Sequence, residues 1–136
     1  MLPDVLAMLF ADDVHRDSVS GKYTVLGTYA TLGVPFFPWT QDAVIVYLAF
    51  TDAEGKFSLR LRVIDAAQKA PPLIQQESIL YLSQPRMVAE RAFVLINLQF
   101  PEPGEYRVQL FSDGHLIRER SLKLMKASVN GRYRKN

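Results

Sequence analysis

Glu105-Tyr106-Arg107-Val108-Gln109-Leu110-Phe111-Ser112-Asp113-Gly114 is the stretch whose reading decides the fold. Tyr106, Val108 and Leu110 are apolar and the residues between them polar, a period of two that sends alternate side chains to opposite faces of a strand, with the even positions inward. Ser112-Asp113-Gly114 then supplies a turn, because Gly accepts the positive φ that a tight hairpin demands. The returning strand covers residues 115–125. On it Leu122 and Leu124 share a face with Arg118 and Arg120, whereas Ile117 lies on the other, so the alternation breaks and a bulge or bend is expected near 118–121.

Working outward, residues 57–63 show the same alternation with Phe57, Leu59, Leu61 and Val63 apolar. Three runs, 5–10, 44–50 and 93–100, are apolar on both faces, with Asn97 and Gln99 the polar exceptions; their β-branched and aromatic content favours interior strands. Residues 22–30 form another strand, entered through the turn Ser20-Gly21-Lys22. Residues 74–82 are read as a strand as well, although Gln75, Gln76 and Glu77 would also suit a helix, and Pro71-Pro72 punctuates the approach. One short helix is expected over 85–91, with Pro85 in its first turn and Ser83 as cap. The sum is an all-β fold, an immunoglobulin-like antiparallel β-sandwich of roughly seven to eight strands with at most one short helix. Residues 1–126 read as a single domain without repeat or linker. Residues 127–136, with Arg132, Arg134 and Lys135, read as a basic tail that frays.

Composition bounds the chemistry. The chain of 136 residues has no Cys, which excludes disulfides, thiolate zinc sites, iron–sulfur clusters and cysteine nucleophiles and suits a reducing compartment. Asp4 stands where an export signal would carry positive charge, and the apolar run that follows covers only 5–11, so cytoplasmic location is the expectation. No stretch reaches the roughly 20 apolar residues of a spanning helix, and no membrane association is expected. The formal charge of +2 is small and both signs are interspersed, which makes nucleic acid an unexpected partner. The terminal basic residues with Tyr133 offer only a weak, salt-sensitive attraction.

Four segments, 11–14 (A-D-D-V), 20–29 (S-G-K-Y-T-V-L-G-T-Y), 34–38 (V-P-F-F-P) and 100–114 (F-P-E-P-G-E-Y-R-V-Q-L-F-S-D-G), together resemble a family of small bacterial β-sandwich proteins catalogued as a domain of unknown function. The resemblance covers nearly the whole chain. Its motifs are turns and core strands, and it brings no catalytic residues to carry over. The last segment also resembles the closing hairpin of immunoglobulin and fibronectin-type domains, where Pro-Gly-x-Tyr opens a strand; Tyr106 would be the tyrosine of a tyrosine corner.

Three groups of residues have the chemistry of a site. Asp12, Asp13, Asp17, Asp52, Glu54 and Asp113 fall near expected strand ends, where loop oxygens could gather round a calcium ion, although their order matches no calcium loop and solvated turns contain the same residues. His15 and His115 each follow an expected turn. If the fold brought them together with Asp12, Asp13 and Asp113, they could bind zinc or run a hydrolase-type, metal-dependent reaction. The seven glycines are scattered singly, so no phosphate-cradling loop exists, and no cofactor is expected.

The third group is Gly33-Val34-Pro35-Phe36-Phe37-Pro38-Trp39, which sets Phe36, Phe37 and Trp39 among prolines in a connection. These aromatics either fold back to plug the end of the sandwich or form a rigid docking site; the need to seal the sandwich end against water favours the plug. The leading functional expectation is a non-enzymatic binding module with a protein partner. A weak homodimer is expected through the flat strand 22–30, since the charged strand around Arg118, Glu119 and Arg120 is protected from edge pairing.

Overall fold

The structure, a computed structural model, describes residues 2–127. Its nine strands are β1 (Asp4–Arg16), β2 (Tyr23–Tyr29), β3 (Thr31–Val34), β4 (Trp39–Thr51), β5 (Gly55–Asp65), β6 (Ile74–Leu82), β7 (Ala89–Phe100), β8 (Gly104–Ser112) and β9 (His115–Lys126). They form a four-stranded sheet in the order β2-β1-β4-β7 and a five-stranded sheet in the order β3-β9-β8-β5-β6. Only β3 runs parallel to its partner, β9. This is the expected all-β sandwich, with nine strands where seven to eight were expected. Among the described residues there is no helix, and so none long and apolar enough to cross a membrane. The expected basic tail, apart from Ala127, lies outside the described residues.

The core lies between the inner faces of the two sheets. Phe10, Val44, Val46, Leu48 and Phe50 meet Leu59, Leu61, Val108, Leu110 and Leu122, all fully buried. The deciding hairpin turns as read, with Asp113 and Gly114 both at positive φ (48° and 83°) and Ser112 paired with His115. Tyr106 makes the tyrosine corner: its hydroxyl donates to the Glu102 carbonyl at 2.6 Å, and its ring stands edge-on to Phe100.

The break in β9 is a bulge, placed one residue ahead of the expected stretch. The register does shift, leaving Ile117 as the extra residue between Leu116 and Arg118, just ahead of 118–121. Arg118 and Arg120 nonetheless share the inward side with Leu122 and reach across to the other sheet. Arg118 Nη2 donates to the Val5 carbonyl and Arg120 Nη1 to the Met8 carbonyl, both at 2.6 Å, and Arg120 also lies over the Phe10 ring. β2 pairs with β1 only from Phe10 onward, so these carbonyls belong to a free margin of β1. The arginine stems cover apolar surface while their heads satisfy backbone acceptors.

Three other expectations change. Residues 85–91 are not helical: the Pro85 carbonyl accepts from Asp52 N and the Met87 carbonyl from Thr51 Oγ1, so neighbours take the acceptors a helix would use, and β7 begins at Ala89. β7, read as interior, is an edge, and its Val94 and Ile96 face outward and stay exposed. Strand 22–30 gives β2, after which the chain crosses at Ala30 to the other sheet as β3. Asn97, at φ 54°, marks where β7 changes phase: Leu95 faces inward before it, Leu98 and Phe100 after it. Asn tolerates that left-handed backbone better than the β-branched residues around it.

β1 pairs with β4 as far as Ala11↔Ile45 and continues with β2 as a two-stranded ribbon to Arg16↔Tyr23. Extended strand from Ala11 to Arg16 spans about 17 Å. Yet the Tyr23 ring lies 5.8 Å from that of Tyr47, which is next but one to Ile45. The ribbon therefore coils back over the outer face of its sheet, which is why Ala11 and Ile45 are buried although they point away from the core. Gly27, at φ 69°, sits on this ribbon where an added Cβ would collide with the Asp12 carboxylate.

Candidate docking surface

The connection 35–38 is anchored on both sides. β3 is zipped to the end of β9 through Thr31↔Lys123 to Val34↔Lys126, and Trp39 pairs with Phe100. The prolines frame the turn, with a cis bond between Phe37 and Pro38. Phe37 and Trp39 are half-buried and pack against the core, and Trp39 Nε1 donates to Gln41 Oε1 at 2.8 Å. Phe36 points outward, 59% exposed, and meets the Trp39 ring edge-on at 5.4 Å. Two of the three aromatics thus rest on the core and hold the third up to solvent.

At the same end of the sandwich a concavity of about 380 Å³ opens between residues 65–70 and 101–106. Two of its ionisable groups, Glu105 and Tyr106, already have partners. Glu105 accepts from Ser121 Oγ at 2.7 Å and lies 3.4 Å from Arg107 Nε; the Ser121 hydrogen bond, aided by the Arg107 charge, holds its carboxyl below the usual carboxylate range. Burial pushes the Tyr106 hydroxyl up, and the corner hydrogen bond occupies it.

The acidic and histidine residues do not meet. Asp12, Asp13 and His15 lie on the β1–β2 ribbon that coils over the outer face of the four-stranded sheet, while Asp113 and His115 belong to the β8–β9 hairpin of the five-stranded sheet, next to the start of β5. His15 follows no turn; it sits inside β1 opposite Thr24. Several of the carboxylates serve their own backbone. Asp113 Oδ1 accepts from Ser58 N at 2.9 Å, pinning the hairpin to β5. Asp13 Oδ1 accepts from Val14 N. Asp17 Oδ2 accepts from Ser20 N and Val19 N, which holds its pKa below the ordinary value. Asp52 and Glu54 lie in the β4–β5 turn, and among the described residues no three His or carboxylate side chains gather as metal ligands.

One polar constellation was missed from the sequence. Across β5, β8 and β9, Arg62 Nε donates to Gln109 Oε1 at 2.7 Å, Gln109 Nε2 to Glu119 Oε2 at 2.6 Å, and Arg107 Nη1 to Glu119 Oε1 at 3.1 Å. Arg60 and Arg62 both lie over the Phe111 ring. Each residue had been visible as the polar half of an alternating strand, but the ladder depends on the register between strands.

The chain is similar in fold to the crystal structure of a β-glucosidase from Listeria innocua in complex with glucose, at 14% identity and a TM-score of 0.49. The match covers 88% of this chain and 16% of that one. A search of curated proteins finds no match. The model of a family of unknown function, DUF6941, matches residues 6–125, and the chain belongs to that family.

Proposed function

We propose that this protein is a non-enzymatic interaction module that docks a protein partner on Phe36 and the outer edge of Trp39. The supporting observation is that Phe36, 59% exposed, is held edge-on to Trp39 by a connection anchored in both sheets. A large aromatic fixed in advance loses little entropy on binding, and such residues dominate interface energetics. The alternative, a hydrolase or metal enzyme using Asp12, Asp13, His15, Asp113 and His115, would need one site from residues divided between the coiled β1–β2 ribbon of one sheet and the β8–β9 hairpin of the other.

Phe36→Ala separates docking from stability. It is expected to leave unfolding within about 0.5 kcal/mol of the parent, as an exposed substitution does. Phe37→Ala, which strips a side chain packed on the core, is expected to cost about 2 kcal/mol. Recovery of partners from native cells with the two variants and the parent provides the readout. The reading stands if Phe36→Ala folds normally and loses a partner that the parent retains, and it falls if that partner is recovered equally well.

A further inference from the structure

The margins of the two sheets are finished unequally. β2 is coiled and carries Gly27 at positive φ; β3 is a short strand of four residues; and the free part of β1 is strapped by Arg118 and Arg120. β7 breaks phase at Asn97, and its Val94 carbonyl accepts from Gln76 Nε2. Each of these devices hinders a foreign strand. β6 shares only the Gln76 link to β7 and has none of the others. Its nine residues keep one unbroken register with β5, from Gly55↔Leu82 to Val63↔Ile74, and they include no Gly, Pro or Lys. Its only charge is Glu77, and Ile79 and Tyr81 stand on its outer face, 45% and 60% exposed. Beside it, a groove of about 210 Å³ separates β6 from β7.

We infer that β6 pairs antiparallel with β6 of a second copy of this chain about a twofold axis at Ser78, joining two five-stranded sheets into one. The sequence of the strand selects both occupant and register. Centring on Ser78 uses the whole strand and sets Glu77 opposite Ile79 of the other copy, Gln75 opposite Tyr81, and Ile74 opposite Leu82. Centring on Glu77 would instead oppose two carboxylates. A twofold contact is self-complementary by construction, and this strand meets that requirement without a like-charge pair. The inference moves the expected dimer from β2 to β6 and does not depend on the role of Phe36.

Sedimentation velocity of the full chain across the micromolar range is the test, with exposed substitutions that spare the core. The parent is expected to show a concentration-dependent dimer. Ile79→Glu places a carboxylate opposite Glu77 at two symmetry-related positions and is expected to weaken association about tenfold. Ile79→Lys places an ammonium there instead and keeps the dimer, now weakened by salt. Leu26→Lys, on β2, leaves association unchanged. A parent that stays monomeric, equal effects of Glu and Lys at position 79, or loss of the dimer with Leu26→Lys would each overturn the inference; circular dichroism of each variant establishes that it is folded.

Discussion

Gly27 is the residue on which the coiled ribbon depends, for two separable reasons. Its φ of 69° suits few L residues, and the Asp12 carboxylate occupies the space where a Cβ would go. Gly27→Ala is therefore expected to lower stability in urea by about 1–2 kcal/mol from the backbone alone, with the collision added. Combining it with Asp12→Ala should return the steric part and leave the backbone part. Nearby, burial pushes the Tyr29 hydroxyl up and the Asp12 charge adds to the effect. Burial, with the hydrogen bond to Glu90, raises Tyr47 from 10.0 to about 12. The unfolded chain releases the Tyr47 proton near pH 10, whereas the fold keeps it to about 12. The stability this shift contributes is thus intact below pH 10 and is lost as pH rises from 10 to 12. Denaturation midpoints measured over that interval should fall for the parent and fall less for Tyr47→Phe.

Among the elements, β9 does two jobs along its length. Its second half faces the core through Leu122 and Leu124 and holds β3, whereas its first half uses Arg118 and Arg120 to close the open side of the sandwich. Arg120→Met keeps an apolar stem of similar length but loses the Met8 hydrogen bond and the contact with Phe10. A loss of about 1–2 kcal/mol is expected in urea denaturation. Replacing Arg118 and Arg120 together by Met frees two carbonyls on the β1 margin, and light scattering should then show species larger than those of the parent. The same strand shows how far a pattern can be read. Arg118 and Arg120 were identifiable as sharing a face with leucines, and the charged segment was expected to be a protected edge; β9 instead lies between β3 and β8, and its arginines guard the margin of β1. That the face is the inner one follows only from where β1 ends its pairing with β2, and no local sequence feature encodes that.

For the whole molecule, the legible part of the fold was the part made by neighbours in sequence. The Asp113-Gly114 hairpin, the Tyr106 corner and the alternation of β5 each depend on a few adjacent residues, and each stands as read. What stayed hidden depends on partners far along the chain. Thr51 and Asp52 draw residues 85–87 out of a helix, and Lys123 to Lys126 draw Thr31 to Val34 across to the second sheet. The candidate site divides in the same way. The aromatic, proline-flanked stretch 33–39 was visible as unusual, but which ring would face solvent was decided by the anchoring of β3 and β4. The crossing at Ala30 also bears on the order of assembly. β3 has no strand partner except the far end of β9, so this segment cannot pair with the second sheet until residues 123–126 have been made. During synthesis on the ribosome, which proceeds from the N-terminus, the crossing stays an unlatched flap until β9 emerges, and a nascent chain stalled before that point would hold Thr31 to Val34 without their partner strand.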